Sequence, residues 1–192
     1  ITTYNAMCWL SECLGSCGTN NVIVVDNNST DKTVNFIQEN YPSIKLIQQP
    51  KNLGFGKANN IGIAYALKRG AEYVFLLNQD AYLELNTIEK LIEVHKENQE
   101  YGIVSPIHLN GNGEKLDLNF SYFIKENNSL LFDALQNKNI KDIYEVPFVN
   151  AAAWLLPKET LMNVGGFDPI FSHYGEDNNY CQRILFHNLK IG

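Results

Sequence analysis

A chain of 192 residues, 45% hydrophobic and 19% charged, has the composition of one globular domain with a full core. Its net charge of -6 excludes a nucleic-acid surface, which needs clustered Lys and Arg. No apolar run approaches the ~18 residues of a membrane span, and no signal peptide is visible.

Ile1-Thr2-Thr3 reads as the tail of a first strand, with Tyr4-Asn5 turning into a helix over about Met7 to Cys17. Val22 to Val25 is a buried strand ending at Asp26-Asn27-Asn28. Ser29 or Thr30 is expected to cap a helix reaching about Asn40, with Asp31 favourable in its first turn and Pro42 closing it. Ile44 to Ile47 is a third strand, and Asn52 to Gly56 a glycine loop. A helix from about Lys57 to Arg69 stops at Gly70. The apolar Tyr73–Leu77 strand follows, then a helix over about Asn86–Glu100 and a short strand at Ile103-Val104. The Asn- and Lys-rich stretch from about Asn110 to Tyr144 breaks this rhythm and reads as a substrate-facing excursion. Val146 to Leu156 is expected to be strand, Pro157 to Val164 a short helix, Gly165 to Pro169 a turn, and Glu176 to Phe186 a last helix. Repeated strand–helix alternation predicts a mostly parallel sheet with helices on both faces.

Cys13 and Cys17, four apart on a probable helix, have no His or CxxC nearby and read as buried hydrophobes in a reducing cytoplasm. The sequence begins without Met and stops at Lys190-Ile191-Gly192, which resembles the start of a strand, so truncation at both ends is expected.

Four polar patches carry the chemistry. In Asp26–Asp31, Asn27 has the donor and acceptor to pair with a pyrimidine edge, and Asp26 would orient the loop or meet a ribose hydroxyl; turn and cap chemistry is the alternative. Gly54-Phe55-Gly56-Lys57-Ala58-Asn59-Asn60 resembles a dinucleotide fingerprint, but Asn59 stands where the third glycine belongs. Asn78-Gln79-Asp80 closes a buried strand, where open α/β sheets bind ligands, and one carboxylate there suits a hard cation shared with a diphosphate. His173-Tyr174-Gly175-Glu176-Asp177 sets two acids at a helix N-terminus, stabilised by its dipole or serving as a proton acceptor at a pocket rim.

Together these blocks resemble glycosyltransferase family 2, the inverting nucleotide-sugar transferases of GT-A fold, over essentially the whole chain. The resemblance rests on Thr2-Thr3-Tyr4-Asn5, Val24–Asp31, Asn52–Gly62, Leu76–Asp80, and Gly165-Gly166-Phe167-Asp168 leading to Gly175-Glu176-Asp177. The wording is most similar to a rhamnosyltransferase-like branch that builds bacterial surface polysaccharides. It implies an α/β, Rossmann-like three-layer sandwich in a single domain, with a nucleotide part over about 1–105 and an acceptor part over about 106–192. Thr2, Tyr4, Asp26 and Asn27 are implied at the base and ribose. Gly54, Phe55, Ala58 and Asn59 would line the nucleotide site, and Asn78, Gln79 and Asp80 occupy the DxD position. Asp80 would meet Mn²⁺ or Mg²⁺, Asp177 would be the base, and Glu176 would shape the acceptor pocket. The implied partners are a dTDP- or UDP-linked sugar and a saccharide or lipid-linked acceptor. The implied place is the cytoplasm, at the inner membrane face through segments outside this sequence. Three residues depart from the family pattern: Asn78 replaces the first Asp of DxD, Asn27 replaces a common Asp, and Asn179 replaces an acid two residues after the Glu-Asp pair. The sequence also ends before a segment that commonly supplies a metal-binding His. An inactive nucleotide-sugar- or glycan-binding relative is the first alternative, and a nucleotidyltransferase the second.

Overall fold

The computed structural model describes residues 1–124, 129–136, 140–172 and 174–192. In chain order its elements are β1 (Thr2–Thr3), α1 (Leu10–Ser16), β2 (Ile23–Asp26), α2 (Thr33–Asn40), β3 (Lys45–Gln48), α3 (Phe55–Lys68), β4 (Tyr73–Leu77) and α4 (Thr87–Glu97). There follow β5 (Tyr101–Ile103), α5 (Leu118–Ile124), α6 (Ser129–Leu135), β6 (Ala153–Pro157), α7 (Lys158–Asn163), α8 (Glu176–Phe186) and β7 (Lys190–Ile191).

Strands β1, β2 and β3 pair in parallel. A parallel bridge from Thr2 to Asn78 joins β1 to the end of β4. β4 pairs antiparallel with β6, from Tyr73↔Pro157 to Leu77↔Ala153. An antiparallel Val104–Leu155 bridge joins β6 to the β5 segment, and β5 pairs in parallel with β7. The resulting order is β3-β2-β1-β4-β6-β5-β7, with β6 the one reversed strand among the described residues. The expected mostly parallel sheet is present.

Alternation along the strands sorts side chains into two cores, because successive residues point to opposite faces. Phe75, Leu77, Ala153 and Leu155 face α1 and α4, while Val24 and Leu46 face α1 and α2. Leu76, Trp154 and Leu156 face the other way, against Ile63 of α3, Leu161 of α7, and Tyr180 and Ile184 of α8. The result is a three-layer sandwich. No helix among the described residues is long and apolar enough to cross a membrane.

Several expected boundaries move, each for a visible reason. α1 begins at Leu10 because Asn5 takes a left-handed turn (φ 51), and the Ala6 and Met7 amides donate to Thr33 Oγ1 and Asp31 Oδ2. α2 begins at Thr33 because Ser29 is committed elsewhere, its hydroxyl donating to Asp26 Oδ1 at 2.5 Å. Asp31 instead accepts from the Thr33 amide at 2.9 Å. Its slight desolvation opposes ionisation, but hydrogen bonds from Thr33 and Met7 outweigh that and hold the carboxyl below its ordinary range. α3 starts two residues early, at Phe55. Gly54 (φ 83, ψ 171) occupies a region open essentially to glycine alone, which lets the helix follow the turn at once. The strand expected from Val146 shrinks to Ala153–Pro157. Pro147 lacks an N–H, and Val146 makes one edge bond, to Ile191 O. The Asn110–Tyr144 excursion contains α5 and α6.

Candidate active site

The carboxyl ends of β1, β2, β3 and β4 lie along one edge of the sheet, as parallel pairing requires. α3 starts from that edge. So does α8, which precedes β7, a strand running parallel to β5. Topology alone therefore gathers the glycine turn, the Asn78–Asp80 turn and the Glu176-Asp177 pair at the rim where open α/β sheets bind ligands.

Asp26 ends β2 and is only 2% exposed. Its carboxylate accepts from Thr3 Oγ1 (3.2 Å), Ser29 Oγ (2.5 Å) and the Ser29 amide (3.0 Å). Ser29 Oγ in turn accepts from the Asn5 amide, and Asn5 Oδ1 accepts from the Thr30 and Asp31 amides. Of the two roles expected for Asp26, orienting the loop is the one these bonds describe. Asn27 is buried as well. Its Oδ1 accepts from the Leu53 amide (3.0 Å) and its Nδ2 donates to Gly54 O (3.1 Å), so both amide atoms fasten the glycine turn to β2.

The Asn78–Asp80 turn is held from three sides. The Asn78 amide donates to Ala152 O beside the start of β6, and the Cys13 thiol donates to Asn78 O at 3.5 Å. Burial pushes that thiol up to about 12, so it stays a neutral donor. Gln79 reaches across to the end of β1, its Oε1 accepting from the Tyr4 amide at 2.8 Å. Asp80 is exposed, as is the Tyr4 ring.

The acidic pair sits in the first turn of α8, behind Gly175 (φ 88). Asp177 is half-buried, its Oδ1 accepting from the Asn178 amide at 2.8 Å. Glu176 is 7% exposed, and its Oε2 has no hydrogen-bond partner. A side chain added at Gly56 would meet Phe167 Cβ at 3.0 Å and Glu176 Cβ at 3.7 Å, so the first turns of α3 and α8 lie next to each other. A Cβ at Gly54 would overlap the Ser172 carbonyl oxygen, which brings the glycine turn against the loop leading to α8. His173, expected at this rim, lies outside the described residues.

The structure thus gathers Tyr4, Asp26, Asn27, Gly54, Asn78, Gln79, Asp80, Glu176 and Asp177 along one edge. Four residues expected at the nucleotide pack inward. Ala58 is fully buried and offers no surface to a ligand. Asn59 is buried in α3 and donates to Phe55 O. Thr2 and Asn59 both line a cavity of about 960 Å³ that none of Asp80, Glu176 and Asp177 touches. Phe55, also expected at the nucleotide, packs edge-on against Phe167 with ring centroids 5.6 Å apart. Two side chains outside the expected catalytic and nucleotide contacts, Asn60 of the glycine-loop patch and Arg183 of α8, tie these elements together. Asn60 exchanges two hydrogen bonds with the Phe167 backbone, and Arg183 donates to Gly166 O and Val164 O. Their spacing along the chain carries no signal of either contact.

Known proteins agree with this architecture. At 32% identity over 180 residues, the chain is similar to the dTDP-rhamnosyl transferase RfbF of Shigella flexneri, matching 88% of this chain and 55% of that protein. The chain therefore spans about half the length of this curated relative. Among solved structures, S. aureus TarS 1–349 superposes with a TM-score of 0.69 at 19% identity, covering 100% of this chain and 56% of that one. The Pyrobaculum calidifontis mannosyltransferase PcManGT, in complex with GDP-Man and Mn²⁺, superposes with a TM-score of 0.68 at 19% identity, over 99% of this chain and 52% of its own. These likenesses give the GT-A glycosyltransferase fold. The family description "Glycosyl transferase family 2" matches residues 1–161, which include the glycine turn and Asn78–Asp80. The chain belongs to glycosyl transferase family 2.

Proposed function

We propose that this chain carries the catalytic domain of an inverting transferase. It would move a sugar from a dTDP- or UDP-linked donor to a saccharide or lipid-linked acceptor in surface polysaccharide synthesis. Residues of about 1–105 hold the nucleotide and those of about 106–192 meet the acceptor. The observation that carries this reading is the adjacency of the α3 and α8 first turns at Gly56 and Glu176, which sets the acid pair beside the glycine turn.

The exposed Asp80 carboxylate is engaged by no hydrogen bond or ion pair among the described residues, and no three His, Cys, Asp or Glu side chains gather there. One carboxylate completed by substrate phosphates suits Mn²⁺ or Mg²⁺, which keep water ligands and bind diphosphate oxygens. The donor set thus fits a cation shared with the substrate, with Asp80 and the Asn78 side-chain oxygen as the chain's contribution. Charge developing on the departing nucleoside diphosphate is what such a cation would neutralise.

The exposed Tyr4 ring offers a face to the base, and Gln79 holds the Tyr4 backbone in place. Asp177 takes the proton as the acceptor O–H bond breaks. The oxygen bonds to the anomeric carbon, and the carbon–oxygen bond to the diphosphate breaks on the opposite face, inverting the configuration. The bond from Asn178 N fixes one Asp177 oxygen and leaves the other to act. The unpartnered Glu176 Oε2 is an acceptor that a sugar hydroxyl would satisfy. The test is a panel of dTDP- and UDP-linked sugars with Mn²⁺, reading donor hydrolysis and transfer. Asp177→Asn is expected to abolish turnover while nucleotide binding persists; equal turnover in mutant and parent removes Asp177 from the mechanism. A parent that binds donor yet never cleaves it marks an inactive binding relative.

A further inference from the structure

We propose that Asn60 is a positioning residue, holding α8 and its acid pair in register with the nucleotide half; the proposal rests on the transferase reading above. Asn60 lies in the second turn of α3. Its Nδ2 donates to Phe167 O at 2.8 Å, and its Oδ1 accepts from the Phe167 amide at 2.8 Å, across 107 residues of sequence. One side-chain amide thus reproduces the two bonds that a paired strand would exchange with Phe167.

The other side of the same segment is bound to α8. Tyr180 Oη donates to Gly165 O at 2.9 Å, and Arg183 Nη1 donates to Gly166 O at 2.7 Å, with Nη2 on Val164 O. Residues 164–167 therefore form a strut, with α3 gripping one end and α8 the other. The strut has no slack. Any Cβ at Gly166 would overlap the Asn60 amide, meeting its Cγ at 2.9 Å. Phe167 is 2% exposed and packed against Phe55, Trp154 and Tyr180. The two helices so joined are those whose first turns lie next to each other at Gly56 and Glu176.

The site demands a donor and an acceptor on one short planar group. Asn supplies both, Gln is a methylene too long, and an ionised Asp accepts from Phe167 N while opposing Phe167 O. A protonated Asp restores both bonds. The opposing carbonyl raises that Asp above its usual ~3.9, within reach of mild acid.

The experiment compares parent, Asn60→Ala and Asn60→Asp by amide hydrogen exchange and by transfer kinetics. In Asn60→Ala, exchange at Phe167 and at Asn179, whose amide closes the first turn of α8 on Gly175 O, is expected to quicken at least about ten-fold, with the β4 amides unchanged. Transfer kcat is expected to fall up to about a hundred-fold, while donor KM stays within roughly three-fold. For Asn60→Asp, the ratio of its kcat to the parent's is expected to climb as pH falls from about 8 to about 5; taking the ratio removes titration of the shared catalytic groups. Parent-like exchange at Asn179 in Asn60→Ala, or a flat ratio for Asn60→Asp, overturns the assignment. A parent that transfers no sugar defeats the transferase reading instead, and the exchange measurement still decides Asn60.

Discussion

Asp26→Ala tests whether the loop after β2 is organised from within. The substitution removes one acceptor from three donors: Thr3 Oγ1, Ser29 Oγ and the Ser29 amide. Thr3 is 0% exposed, so its hydroxyl has no water to turn to, and stranding it costs about 1–3 kcal/mol. Ser29 is half-buried and regains water in part, so its two lost bonds to a carboxylate add about 1–2 kcal/mol. The total is about 3 kcal/mol. With a urea slope near 3 kcal/mol per M, the unfolding midpoint should fall by about 1 M. The double variant Thr3→Val/Asp26→Ala removes the stranded hydroxyl and should recover roughly 1 kcal/mol. A midpoint within about 0.3 M of the parent, or no recovery in the double variant, would refute the reasoning.

Asp80→Ala should weaken donor binding at least about ten-fold with Mn²⁺ present and little without it; calorimetry in the two conditions reads the difference. Gly54→Ala places a Cβ in a glycine-only conformation and against the Ser172 carbonyl, so a loss of at least about 2 kcal/mol and weaker nucleotide binding are expected. Gly18→Ala, at φ 56 with open space around it, should cost only about 1–2 kcal/mol and leave binding intact. Burial raises the thiols of Cys13 and Cys181 to about 12 and that of Cys17 above its ordinary 9.0, while Cys8 is exposed. A thiol reagent at neutral pH should therefore modify Cys8 in the native protein and the other three only after unfolding. These thiols ionise first in the unfolded chain, which sheds protons that the folded state keeps. Their contribution to stability is therefore full below pH 9 and declines as pH rises toward 12, which unfolding midpoints across that range would show.

What could be read from the sequence was local. Val22–Val25 and Tyr73–Leu77 announced strands by short apolar runs, and α8 was placed at its observed limits by Gly175 and the two acids after it. The misplaced start of α2 shows the boundary of that method. Ser29 is a good cap residue by type, but the Asp26 carboxylate, three residues back at the end of β2, had the stronger claim on its hydroxyl. Ala58 and Asn59 show a second boundary: they lie in the helix expected from about Lys57, but periodicity near a glycine turn does not say that their side chains fall on its buried face.

Outside residues 110–152, the amino-acid order alone determined which segments become strands and helices, because periodicity and turn chemistry act within a few residues. Only tertiary structure decided that β6 runs backward, that Gln79 grips Tyr4, and that Asn60 clasps Phe167. Strand direction and a two-bond clasp across 107 residues depend on which surfaces meet once the cores close, and no local pattern encodes that meeting.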